Sequence, residues 1–298
     1  MSNLLFGQML AIIVAITSAE KSIIFSYLGK NISTRATVHV RLWIATPIII
    51  ILALLTEGTS FLNITISTWI ILLTSGVIGY FICDSFAFWA YANLGPRESM
   101  VIMTLNPIFH SILSYFFFSE VLTFRQMFAI LITITGIITL ILNQEKKDNI
   151  ILRNHQIKGI FFAFLGAIFQ AISNILAKSA LDNLGPISTN SIRMIGGLIA
   201  AAIFAGVYRK EFIHDFKLFN NKKAFSLLSI ATISGPIIGI TVLLTSFNYA
   251  PVGLVTAIAQ ISPIFILIYE ITILKKGIKP LEMFGTLISV FGVTLMFL

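Results

Sequence analysis

What this 298-residue sequence lacks most is charge. Only 11% of its residues are Asp, Glu, Lys or Arg, against about 25% in a typical soluble domain. With 57% of residues hydrophobic, a soluble core could not hide so much apolar surface, so the lipid bilayer is the expected solvent. Cysteine is nearly absent. Cys83 stands alone in an apolar run, which excludes a disulfide framework and suits a small buried hydrophobe. No Cys/His cluster has metal-ligand spacing, and no Walker-type Gly-rich loop is present. Neither a cofactor nor ATP coupling is therefore expected, and the chain reads as a non-enzyme. The ~10-residue alternating segments of a membrane barrel are missing too. The first apolar run has no basic residues before it and no small-residue cleavage site, so it is expected to be a retained helix and not a signal peptide. The net charge of +8 is no nucleic-acid footprint, because the basic residues sit in short loops beside apolar segments.

What is there is a series of ten apolar segments, near 4–29, 35–56, 68–94, 98–119, 124–143, 157–182, 188–208, 225–249, 252–274 and 279–298. Each holds about 20 residues or more, enough to cross a ~30 Å hydrocarbon core as a helix. The expected fold class is all-α integral membrane. Tight Gly/Pro turns at Asn93-Leu-Gly-Pro-Arg97 and Tyr249-Ala-Pro-Val-Gly253 end one helix and start the next. The long polar stretches, 144–157 and 209–223, are too short to be domains. One membrane domain over 1–298 is expected, with halves at 4–143 and 157–298.

The halves repeat each other. A shift of 152 brings Gly7, Ala11, Ala15, Ala19, Thr37 and Arg41 onto Gly159, Ala163, Ala167, Ala171, Thr189 and Arg193. A shift of 156 brings Gly79, Pro107, Phe109 and Gly136 onto Gly235, Pro263, Phe265 and Gly292. Yet the basic loops of one half match loops of the other that are almost free of charge. One set of loops holds fifteen Lys and Arg residues, the opposite set little beyond Arg125. The positive-inside rule puts the first set in the cytoplasm and both termini outside. Five helices per half is an odd number, so the second copy is inverted, an arrangement typical of secondary transporters.

Ionisable side chains inside a bilayer cost roughly 2.5–3.5 kcal/mol each at a helix centre, and those that persist face a cavity or a partner. Glu20 and Lys21 in the first segment, Asp84 in the third and His110 in the fourth fall at similar depth. The candidate substrate-binding set is Glu20, Tyr80, Asp84, Asn106, His110, Gln170, Asn174 and Gln260. Tyr80 and Asp84 share a face that Phe88 and Tyr91 extend, and an acid beside aromatics suits an organic cation. Gln170 and Asn174 form a polar stripe whose counterparts in the first half are Ser18 and Ser22, and Gln260 matches Thr104. Such stripes either line a cavity or glue helices together. Lys21, Arg41, Lys178 and Arg193 are expected to be structural charges, tied to partners or snorkelling. Pro107 and Pro263 free the carbonyls near Met103 and Ala259, through kinks that either shape the bundle or wall a cavity. The loop acids Glu57, Glu145, Asp148, Glu211 and Asp215 stand isolated, which argues against the competing reading of a lipid-modifying membrane enzyme.

The chain resembles ten-helix members of the drug/metabolite transporter superfamily, of the EamA type, over nearly its whole length. The carriers are an Arg early in the second helix of each half, Val40-Arg41-Leu42 and Ile192-Arg193-Met194, and the turns Leu105-Asn-Pro107 and Ile261-Ser-Pro263. Phe116-Phe-Phe-Ser-Glu120-Val-Leu-Thr, followed by a helix bearing Gly136, is a third. The acidic position of Glu120 becomes Lys276 in the second half. Thr17-Ser18 and Gln170-Ala171 stand where such proteins often have Trp-Gly. The resemblance implies alternating-access transport of a small polar metabolite, first of all export of an amino acid or a related compound, and the candidate residues put the expected site among helices 1, 3, 4, 6, 8 and 9. Uptake or exchange of an organic amine is the alternative. A bacterial-type inner membrane, protons as coupling ion, and a monomer or homodimer complete the expectation.

Overall fold

The computed structural model describes residues 3–30, 32–118, 123–143, 150–180, 184–208, 210–250 and 252–295. Among them there is no strand. In lipid, every backbone polar group must be satisfied within the protein, and a helix does this within one segment. Seven helices are long and apolar enough to span on their own: Asn3–Leu28, Thr34–Thr56, Ile66–Asn93, Asn154–Lys178, Pro186–Tyr208, Lys222–Ser246 and Leu254–Thr272. The fifth and tenth segments form shorter apolar helices, Met127–Leu142 and Pro280–Leu295. The fourth is assembled from two pieces, Pro96–Met103 and Asn106–Phe118. Together these are the ten spans expected, in two five-helix repeats, and they are numbered here in chain order. Large apolar side chains such as Leu55, Ile66, Phe124 and Phe291 are exposed around the outside, as a lipid-facing surface requires.

Three features depart from the expected segments. The sixth helix starts at Ile150, so the second half of the 144–157 linker is helical; residues 144–149 lie outside the described residues, as does Glu120. The 209–223 stretch contains a short helix, Phe212–Asp215, and a 3-10 turn, Phe216–Asn220. The proline kinks are full interruptions. The fourth span stops at Met103 and restarts at Asn106, and the ninth stops at Ala259 and restarts at Ser262. Each proline is the second residue of its new helix, where its missing N–H and fixed φ cost nothing.

The third and eighth spans each contain a π-helical segment, Val77–Cys83 and Ile233–Gly239. The two coincide under the 156 shift, so the distortion belongs to the repeat. Pro236 sits within the second one, where the widened ladder accommodates a residue that cannot donate.

Packing follows the pseudo-symmetry. The first span packs against the eighth and ninth as the sixth packs against the third and fourth, while the second meets the seventh and the fifth meets the tenth. Gly76 and Gly196 allow the tightest of these crossings. A Cβ on Gly76 would collide with the Arg193 carbonyl, and one on Gly196 with the Leu73 carbonyl, so the third and seventh backbones touch.

Two acids expected to be isolated are structural ties. Asp215 is buried, and its carboxylate lies 2.9 Å from His39 Nδ1. Trp43 Nε1 donates to His39 Nε2 at 3.0 Å, which fixes the tautomer that donates from Nδ1 to Asp215. Glu57 accepts from the backbone N–H groups of Ile187 and Ser188 at 3.1 and 2.8 Å. It thereby caps the seventh span, where a carboxylate suits the positive end of the helix dipole.

Candidate functional site

The inverted arrangement brings the middle of six spans around one cavity. It is a narrow cavity of about 70 Å³, below the ~300–1,000 Å³ of sites for drug-sized ligands, so a substrate needs the spans to part. Its polar lining comes from Ser18 and Lys21 (first span), Asn106 (fourth), Gln170 and Asn174 (sixth), and Thr256 and Gln260 (ninth). Tyr91 of the third span and Ile240 and Leu243 of the eighth complete it. These are helices 1, 3, 4, 6, 8 and 9. Beside it lies a much smaller cavity of about 10 Å³, room for about one water, lined by Lys21, Arg41, Tyr80, Asp84, Gln170 and Arg193. Lys21, Gln170 and Ile240 belong to both walls.

The helix interruptions explain how the fourth and ninth spans contribute. Thr104–Leu105 and Gln260–Ile261 are the residues between helical pieces, which places Asn106 and Gln260 at the breaks. Such irregular backbone is tolerated at membrane depth only where it is buried in protein or lines a cavity. Asn106 Nδ2 donates to the Ala167 carbonyl at 3.2 Å, tying the break to the sixth span. Gln170 Nε2 donates to Asn174 Oδ1 at 3.1 Å. Gln260 Oε1 is buried without a hydrogen-bond partner, an acceptor left for something else.

Of the expected substrate residues, Asn106, Gln170, Asn174 and Gln260 line the main cavity, and Tyr80 and Asp84 line the smaller one together with Gln170. Glu20 and His110 line neither. His110 belongs to the second piece of the fourth span, beyond the helix break.

Asp84 is not an open acid beside aromatics. Arg41 Nη2 binds its carboxylate and also donates to the Tyr80 carbonyl at 3.2 Å. The aromatics that pointed to an organic cation hold the protein's own: the Arg41 guanidinium lies 4.9 Å from the Phe88 ring centre, and that of Arg193 lies 5.3 Å from Tyr80. Arg193 donates to Ser75 Oγ at 3.0 Å and to Ser173 Oγ at 2.9 Å. Tyr80 donates to Asn190 Oδ1, and Asn190 Nδ2 reaches the Pro236 carbonyl at 2.9 Å, linking the third, seventh and eighth spans. Lys178 donates to the Phe247 carbonyl at 3.4 Å, at the end of the eighth span, where a cation suits the dipole. Arg41, Arg193 and Lys178 therefore have the protein partners expected of structural charges. Lys21 has no hydrogen-bond or ion-pair partner among the described residues; Asp84 acts on it only at longer range.

One constellation escaped the sequence. Arg97, counted among the loop cations, is completely buried. Its Nη2 donates to Glu98 at 3.0 Å and to Glu282 at 2.8 Å, and its Nε lies 2.9 Å from Glu270. Lys276 closes the network on Glu270 at 3.1 Å. The network ties the fourth span of one half to the ninth and tenth of the other, at the end carrying the basic loops. Glu270 was findable by the test that picked out Glu20 and Asp84, an acid inside an apolar segment.

Compared by sequence with curated proteins, the chain matches none. One solved crystal structure superimposes on it with a TM-score of 0.71, covering 98% of this chain and 96% of its own, at 15% sequence identity; at that identity the likeness is one of fold. The model of the EamA-like transporter family matches twice, over residues 5–142 and 157–298. This chain, a multi-pass membrane protein built from two such repeats, belongs to the EamA-like transporter family of the drug/metabolite transporter superfamily.

Proposed function

We propose that the chain is a secondary active carrier that moves amino acids or related small polar metabolites by alternating access, in the direction of export. The observation that carries this reading is the cavity among six spans of the two halves, lined by side-chain amides at two helix breaks. Amides of this kind recognise a zwitterionic or hydrogen-bonding solute and do no chemistry on it. The Arg97 network supports the alternating step. It lies one helical turn from Met100 of the cavity wall and joins the two halves at the basic end, so opening that end requires it to part. The lopsided distribution of loop cations, fourteen to one once the buried Arg97 is set aside, supports a cytoplasmic-membrane location with this end inside. Asp84, bound by Arg41, is why amino acids are preferred here over organic amines.

Counterflow tests the reading. Liposomes containing the purified protein and loaded with a mixture of unlabelled neutral amino acids should accumulate the labelled compounds transiently from outside. Exchange faster than net flux is the signature of a carrier. Equal rates would point to a channel, and no flux of any member of the mixture would remove amino acids from consideration.

A further inference from the structure

Among the described residues Lys21, like its neighbour Glu20, is a charged group inside a span with no hydrogen-bond or ion-pair partner; of the two, only Lys21 lines a cavity. It sits in the first span with its side chain on the walls of both cavities. The eighth span makes room for it. A Cβ on Gly235 would stand 2.9 Å from Lys21 Cδ and 3.4 Å from its Cβ, so the glycine receives the lysine stem. The repeat puts Ser173 at the equivalent position, and Ser173 packs on Gly79 as Lys21 packs on Gly235. Ser173 is a structural residue: its hydroxyl serves Arg193 and the Ser75 carbonyl. Lys21 replaces that hydroxyl with a cation that serves no described protein group.

The surrounding charges favour an anion. The walls hold Lys21, Arg41 and Arg193 against one carboxylate, Asp84, and that carboxylate is bound to Arg41. An ammonium at membrane depth with no counter-ion is costly, and a ligand anion would offset the cost. The two guanidiniums are tied to protein groups through Arg41 Nη2 and through Arg193 Nε and Nη2. One ammonium thus faces the main cavity, which suits a monoanion better than the forked donors that phosphate usually recruits. On the ninth-span wall of the same cavity is the unpartnered acceptor Gln260 Oε1, which requires an N–H or O–H donor.

We propose that, within the carrier activity proposed above, Lys21 anchors the anionic group of the substrate. The substrate is a carboxylate that also bears a hydrogen-bond donor for Gln260, as an α-amino acid does. Lys21 is then a substrate-binding residue and not a structural charge.

The test uses the full-length protein in detergent and compares compounds that differ only in the carboxylate. L-threonine, L-phenylalanine and acetate are set against L-threoninamide, L-phenylalaninamide and acetamide, with inorganic phosphate as a further arm, and thermal unfolding is the readout. The acids should raise Tm, with apparent affinities at least tenfold tighter than those of the matching amides. Lys21→Met should abolish the difference, and Lys21→Arg should keep part of it. Equal responses to acids and amides, or acid responses unchanged in Lys21→Met, would overturn the proposal. A stronger response to phosphate than to any carboxylate would overturn the carboxylate assignment. If Lys21→Met does not fold, the acid–amide comparison on the unmodified protein decides. Counterflow with the same proteins reconstituted in liposomes separates the two readings. Lys21-dependent binding without exchange leaves the anion site standing and defeats the carrier; exchange that persists in Lys21→Met does the reverse.

Discussion

Arg41 and Arg193 occupy the same position in the two repeats, and both are buried in the membrane among aromatic rings. Their partners differ in kind. Arg41 is neutralised by Asp84, whereas Arg193 keeps its charge and is solvated by the hydroxyls of Ser75 and Ser173. Under the repeat, Asp84 becomes Ile240, Ser75 becomes Ala231 and Ser173 becomes Lys21. One half therefore supplies an ion pair plus a spare cation where the other supplies a cation dressed in hydroxyls. The duplication conserved the scaffold, including paired π segments and paired helix breaks, and let the charges diverge around it. The divergence leaves the cavity with positive charge to spare, and that surplus is where substrate selectivity is expected to lie.

The largest effect should come from breaking the ion pair. Arg41→Met leaves Asp84 as an uncompensated carboxylate in lipid, and loss of one partner of a buried pair costs about 3–5 kcal/mol. Thermal unfolding in detergent should show the largest fall in Tm of the set, with part of it restored in the Arg41→Met, Asp84→Leu double variant. Arg193→Met should cost less, about 1–3 kcal/mol, because the hydroxyls of Ser75 and Ser173 and the Tyr80 ring lose a partner but no charge is left uncompensated. If Arg193→Met is as damaging as Arg41→Met, the distinction between paired and solvated arginine fails. Ser75→Ala should be milder again, at about 0.5–1.5 kcal/mol for one hydrogen bond, although Ser75 also reaches the Ser173 carbonyl at 2.8 Å. Lys21→Met should be the smallest, with Tm of the ligand-free protein unchanged or raised, since no described partner is lost. A clear destabilisation by that substitution would return Lys21 to the structural charges.

The same contrast shows what the sequence could and could not reveal. The ten segments, the tight turns and the paired repeats are properties of local composition, so length, apolarity and Gly/Pro placement were enough to find them. Ionisable residues inside apolar segments were visible for the same reason, and Arg41, Asp84 and Lys21 all stood out. Their roles were not visible, because pairing is a matter of which helices meet. Arg41 and Asp84 are 43 residues apart, and His39 and Asp215 are 176 apart. Asp84 therefore looked like a cation site until Arg41 was found in it. Arg97 was misassigned because a residue beside Gly-Pro reads as a loop cation, while its partners Glu270 and Glu282 lie in other spans. The π segments carry no local signature beyond a glycine or a proline, which fits helices and turns equally well. Four amides, Asn106, Gln170, Asn174 and Gln260, stood out as polar residues within apolar spans, but spacing alone left open whether they line a cavity or join helices.

The central claim is that the cavity between the inverted halves is exposed to one side of the membrane and then the other. Single cysteines at Ser18 and Asn174, both on the cavity wall, test it in a Cys83→Ala background, Cys83 being the only native thiol. A small membrane-impermeant thiol reagent is applied to vesicles of each orientation. The account predicts that both positions react from either side, and more slowly in the presence of a transported amino acid. Reaction from one side alone, with or without substrate, would contradict it.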